Sequence, residues 1–191
     1  MTRSAWRQGR SIAPGQRLRA GLVVGALIVA LAVGYSVLKP AVTISGHAEV
    51  ADGDTLRIDG KRIRLAGLDA PELEQDCTDA SGTAWACGKQ AKDFLIGLVN
   101  RRSVICRSSS HDVYGRSLAR CDAGGGDLGS LIVADGWAVP DLFAYGSEGA
   151  RAKSDKLGIW SGAFEVPAEW RRSHGVGTPG IWDWITSWFH S

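Results

Sequence analysis

Three acidic residues, in two short clusters, and two arginines in this 191-residue chain have the types and spacing needed for chemistry on a phosphate. Asp52-Gly53-Asp54-Thr55 holds the first acids and Asp69-Ala70-Pro71-Glu72 the second. Alone, an Asp-Gly-Asp run marks a turn more often than a metal site. The second acidic cluster changes that reading: if Asp54 and Asp69 face one another across the end of a sheet, with Glu72 one turn away, two hard carboxylates, a backbone carbonyl and waters suit a calcium-sized ion. Arg64 lies between Ile63 and Leu65, so strand alternation points it to the opposite face from them. There a guanidinium beside carboxylates either neutralises them or binds a phosphate. Asp112-Val113-Tyr114-Gly115-Arg116 supplies a second guanidinium beside a tyrosine, a pairing suited to phosphate contact and base stacking. Together the groups form a coherent set for phosphodiester hydrolysis, in which cations stabilise charge building on the phosphoryl oxygens and a carboxylate activates water.

The elements that must position these groups are short. Leu56 and Ile58 alternate with polar neighbours, Asp59-Gly60 is a two-residue hairpin signal, and Ile63 and Leu65 resume the alternation. A strand from about Ala41 to Val50 should precede this hairpin, and Ala70-Pro71 should end it. Gly88 to Asn100 places Ala91, Phe94, Leu95 and Leu98 at helical spacing. Arg102 to Arg107 and Arg116 to Asp122 read as strands around a polar loop. Asp127 is suited to cap a helix bearing Leu128, Leu131 and Ile132, and a last helix should run from Gly146 to Leu157. Five short strands with helices inserted late predict an α+β fold built on a small barrel of the OB type.

The runs DGDT (52–55), IRLAGLDAPE (63–72), DVYGRSLA (112–119), DLGSLIVADGWA (127–138) and KLGIW (156–160) resemble the staphylococcal nuclease, or thermonuclease, family in order and spacing, over about residues 45 to 170. The resemblance implies a five-stranded OB barrel with three helices, acting as a calcium-dependent endonuclease or phosphodiesterase on DNA and RNA and leaving 3′-phosphate ends. It implies that Asp54 and Asp69 hold Ca2+, helped by the backbone carbonyl of Ala70, and that Glu72 is the general base. Arg64 and Arg116 would bind the scissile phosphate, and Tyr114 would contact the nucleotide. Val113 stands where the family prototype has a basic residue, and Ala70 where it has threonine. Two rival classes are a non-catalytic OB module that binds nucleic acid or another polyanion, and an accessory protein of the envelope or of exopolysaccharide biosynthesis.

Residues 20–38 carry no charge, follow five arginines and end at Lys39-Pro40. About 20 apolar residues suffice to cross a bilayer, and the basic flank stays cytoplasmic. The expectation is a basic cytoplasmic stretch over 1–19, a single-pass anchor over 20–39 in the cytoplasmic (inner) membrane, and an extracytoplasmic nuclease-like domain over 41–172. Cleavage near Ala30-Leu31-Ala32 would make the protein secreted instead. The formal charge is +2 overall but −4 over residues 40–191, so nucleic-acid binding must come from a local cluster of arginines, in what is read as a monomer.

Export permits disulfides, and Cys77 with Cys87 and Cys106 with Cys121 are the candidate bridges. Four free cysteines in a reducing compartment is the competing reading; the spacings do not resemble a structural zinc site. His47, His111, His174 and His190 are scattered and make no ligand pattern. In the tail, residues 173–191, a helix would gather Ile181, Trp184, Ile185 and Trp188 on one face, for packing onto the barrel or for membrane contact.

Overall fold

A computed structural model describes residues 23–31, 41–112, 114–141 and 143–175. The chain divides into two units, Met1–Pro40 and Ala41–Ser191. In the first, residues 23–31 form a helix, α1, whose nine uncharged residues are all exposed. The rest of the expected membrane segment and residues 176–191 of the tail lie outside the described residues. Among the described residues no helix is long and apolar enough to cross a membrane.

The second unit is built around a six-stranded mixed sheet: β1 (Val42–His47), β2 (Glu49–Val50), β3 (Thr55–Ile58), β4 (Lys61–Leu65), β8 (Ser103–His111) and β9 (Ser117–Asp122), in the order β1-β8-β9-β4-β3-β2. The two outer strands are consecutive in the chain, separated only by Ala48, so one bent strand forms both borders and the sheet curls into an OB-type α+β fold. This bent strand is the one expected over residues 41–50. β3 and β4 pair around Asp59 and Gly60, which both adopt positive φ (48° and 76°), as the tight hairpin requires. The parallel β4–β9 pair places Arg64 beside Leu118.

Alternation fixes the core. Leu56, Ile58, Ile63 and Leu65 point inward with Val104, Cys106, Ala119 and Cys121, while Arg62 and Arg64 point outward. Over this face pack α2 (Cys87–Val99), through Ala91, Leu95 and Val99, and α3 (Leu128–Ala134), through Leu128, Ile132 and Val133. The Asp127 side chain caps α3 by accepting from the Gly129 N–H at 2.9 Å. α4 (Gly146–Ser154) ends one turn earlier than its pattern suggests and leads into a 3-10 turn, Gly158–Ser161. β5 (Leu68–Asp69) pairs with β10 (Val139–Pro140).

Both cysteine pairs are bridged, Cys77 to Cys87 and Cys106 to Cys121. Cys106 and Cys121 lie directly opposite one another on β8 and β9, so the sheet register itself brings them together. The other bridge closes a small hairpin, β6 (Cys77–Thr78) with β7 (Ala84–Trp85), that alternation did not reveal. It sits in a second apolar cluster with Ile159, Trp85 and Phe164.

Two further departures bear on the site. β8 continues to His111 where a polar loop was expected after Arg107; the Ser108 hydroxyl donates to the Leu118 and Ser110 carbonyls at 2.9 and 3.0 Å, which lets a serine run stay in the sheet. An additional helix, α5 (Pro167–Ser173), follows the three that were expected, with Pro167 at its start, where a missing N–H costs nothing.

Candidate active site

The β3–β4 hairpin sets the first pair of groups. Thr55 faces Arg64 in register, so Asp54, one residue earlier, arrives beside the Arg64 guanidinium. The Leu65 N–H donates to the Asp54 carbonyl at 2.8 Å and locks this junction. Asp54 is 3% exposed, and both its carboxylate oxygens are occupied. Oδ1 accepts from Arg64 Nη1 and Thr55 Oγ1, each at 3.0 Å; Oδ2 accepts from the Ala70 N–H at 3.3 Å and lies 2.8 Å from Arg64 Nη2. Burial nevertheless dominates: it pushes the Asp54 carboxyl up to about 7, with Arg64 offsetting only part of the cost. Burial also works against the charge on Arg64, but Asp54 and Asp69 outweigh it and raise its affinity for its proton.

The turn after β4 brings β5 back across the end of the sheet and delivers Asp69, whose Oδ1 accepts from Arg64 Nη2. Asp54 and Asp69 therefore converge on one guanidinium. Glu72 joins them through Arg171 of α5, a residue that the sequence reading missed. Arg171 Nη1 donates to Asp69 Oδ1 at 3.0 Å and to Glu72 Oε1 at 2.7 Å, and Nη2 donates to Asp69 Oδ2 at 2.9 Å. These hydrogen bonds, those to Asp69 foremost, raise the Arg171 pKa further. Pro167 at the helix start and two arginines in its last turn were a legible helix signature. Nothing local shows that Arg171 reaches carboxylates about a hundred residues away.

Gln75 was missed as well. Fully buried, it accepts from the Glu72 N–H at 3.2 Å through Oε1 and donates to the Glu165 carbonyl at 2.6 Å through Nε2. One amide thus ties the Glu72 segment to the approach to α5.

On the facing wall, Asp112 organises the loop between β8 and β9. Its Oδ1 accepts from the Tyr114 and Arg116 N–H groups at 2.9 and 2.8 Å, and its Oδ2 from Arg116 Nε at 2.6 Å. Partial burial would raise the Asp112 carboxyl, but the Arg116 hydrogen bonds outweigh it and hold the group below the usual range. The Arg116 guanidinium lies 5.5 Å from the centre of the Tyr114 ring, and Tyr114 is 48% exposed. Arg64, Glu72, Tyr114 and Arg116 all border one cleft of about 800 Å3, which Arg62, Arg171 and Arg172 also line.

The donor set can be weighed for a metal ion. Among the described residues no group of three or more acidic, histidine or cysteine side chains is placed to hold one. The expected set has only two such side chains, Asp54 and Asp69, together with the Ala70 carbonyl and water. It still fits a hard divalent cation. Asp54, Asp69 and Glu72 share two guanidiniums, and the raised Asp54 pKa shows that Arg64 repays only part of the cost of burying that carboxylate.

Fold and site together define an OB-type α+β fold with an acid–arginine cleft. The family described as staphylococcal nuclease homologue matches residues 62–162. The chain is 35% identical over 143 residues to succinoglycan biosynthesis protein ExoI of Rhizobium meliloti, covering 72% of this chain and 74% of that protein. It is 30% identical over 148 residues to a micrococcal nuclease of Shigella flexneri, covering 65% and 78%. An uncharacterized endonuclease of Escherichia coli O157:H7 is 32% identical over 131 residues, covering 62% and 77%. The chain belongs to the staphylococcal nuclease homologue family.

Proposed function

We propose that this chain is a calcium-dependent endonuclease that hydrolyses DNA and RNA to 3′-phosphate ends. The observation that carries this reading is the linkage of Asp54, Asp69 and Glu72 through Arg64 and Arg171 beside a cleft that Arg64, Glu72, Arg116 and Tyr114 border. Asp54, Asp69 and the Ala70 carbonyl would hold the ion, which when bound supplies Lewis-acid polarisation of a phosphoryl oxygen. Glu72 takes a proton of the attacking water as the water oxygen bonds to phosphorus; the P–O5′ bond breaks, its electron pair leaving with the 5′ oxygen, which takes up a proton from solvent water to become the 5′-hydroxyl. Arg64 and Arg116 bind the phosphate and stabilise the charge that grows on its oxygens. Tyr114 offers a ring face to the neighbouring base.

The full-length protein, mixed with single-stranded DNA, is expected to degrade it with calcium and to stop when a chelator is added, leaving 3′-phosphate ends. Intact DNA under calcium would overturn the reading.

The same proposal places the domain outside the cytoplasm, anchored through residues 20–38. The uncharged run, its basic flank, the exposed apolar surface of α1 and the two disulfides support this placement. Protease added to spheroplasts should then digest the domain; full protection would reject the topology.

A role in exopolysaccharide biosynthesis is the second reading, favoured by the likeness to the Rhizobium meliloti protein. If a deletion strain lost exopolysaccharide and Glu72→Gln restored it, that role would not depend on hydrolysis.

A further inference from the structure

Each arginine at the reaction centre is paired with an acid: Arg64 with Asp54 and Asp69, Arg171 with Asp69 and Glu72, and Arg116 with Asp112. Two other arginines line the same cleft with their charges nearly unspent. Among the described residues no carboxylate lies within ion-pair distance of Arg62. Arg172 has Glu169 at 3.7 Å, in a pair that is 73% and 58% exposed.

The setting of Arg62 is unfavourable for the fold alone. The β3–β4 register sets Arg57 directly opposite it. Like charges opposed across a sheet destabilise it. A polyanion laid over them removes that penalty. Arg62 also lies two residues from Arg64 on the same face of β4, about 7 Å along the strand. That distance is of the order of one step between phosphates on an extended single strand. From the other side, the grip of Arg171 on Asp69 and Glu72 pins α5 at the cleft and presents Arg172.

We propose that Arg62 and Arg172 form a second phosphate subsite, which takes the phosphodiester next to the one held at Arg64 and Arg116. The inference rests on the nuclease reading and deepens it: the cleft binds a single strand over at least two successive phosphates, despite the net negative charge of residues 40–191.

The test uses the full-length protein in chelator, with a fluorescein-labelled thymidine oligonucleotide followed by anisotropy over a series of salt concentrations. One phosphate contact on a single strand contributes about 0.7 to the slope of log affinity against log salt, which is about fivefold in affinity at 0.1 M salt. Arg62→Ala and Arg172→Ala are each expected to flatten the slope by about that amount, and Arg62→Lys to restore it. Competition by the thymidine dinucleotide, which has a single phosphodiester, should be unchanged in all three variants. Unaltered slopes in the alanine variants, with normal binding by the parent protein, would overturn the subsite alone. So would an equal loss on the dinucleotide, which would place both arginines at the reaction centre. A parent protein that fails to bind the oligonucleotide would overturn the subsite, while the nuclease reading stands or falls on the calcium-dependent digestion.

Discussion

The first turn of α2 lies against the Glu72 backbone so closely that a methyl group on Gly88 would stand 1.7 Å from the Glu72 carbonyl oxygen and 2.7 Å from its carbon. Backbone cannot yield as a flexible side chain does, so the helix acts as a template for the loop that carries the acid. The Gly88 N–H, donating to the Gln75 carbonyl at 3.1 Å, holds the same loop from its other end. Gly88→Ala should therefore lower stability by about 1–3 kcal/mol through overpacking, although alanine favours the helix by about 1 kcal/mol. Displacing Glu72 should also cost tenfold or more in kcat, on the order expected when a reacting group moves by a fraction of an ångström. Thermal melts and steady-state kinetics on DNA check both parts.

Glu72→Gln keeps an oxygen for Arg171 but removes the basic carboxylate. It should lower kcat by about 10²–10⁴ with an unchanged melting temperature. Arg116→Ala should cost about 10²–10³. A Glu72→Gln protein with undiminished turnover would dismiss Glu72 as the base.

Both oxygens of Asp69 are occupied by Arg171, which makes this side chain a tethered competitor for any cation at the acids. The pairs are partly exposed, and each is worth about 1 kcal/mol or less. Arg171→Ala should thus tighten calcium binding by up to about tenfold in isothermal titration calorimetry. Weaker binding would show instead that Arg171 props the carboxylates in place.

The Asp54 carboxyl is raised from 3.8 to about 7 in the folded protein, chiefly by burial. Between those values the native state binds more protons than the unfolded chain, so this group's contribution to stability is complete below pH 4 and declines as pH rises toward 7. In chelator, Asp54→Asn should remove that decline from the stability profile, measured by urea unfolding at successive pH values. Calcium binding, which needs the ionised carboxylate, should weaken as pH falls through about 7 and release protons when it occurs.

Much of this arrangement is legible in the sequence because it is local. The alternation around Asp59-Gly60 fixes the β3–β4 register, and that register places Asp54 at Arg64 and turns Arg64 away from the core. The opposed cysteines on β8 and β9 follow from strand pairing in the same way. Arg171 and Gln75 were not legible, because their partners lie 102 and 90 residues away and no periodicity encodes such contacts. The extension of β8 past Arg107 was hidden for a different reason. Serine runs read as loop, and here the hydroxyl of Ser108, satisfied within the sheet, helps make that run compatible with a strand.

The bend at Ala48 also limits how this protein can meet its neighbours. Because a single segment of chain supplies both margins of the sheet, and its two parts are only six and two residues long, unsatisfied main-chain donors and acceptors are confined to short stretches. An invading β-segment from another molecule finds little ladder to extend, which guards against fibrous self-association.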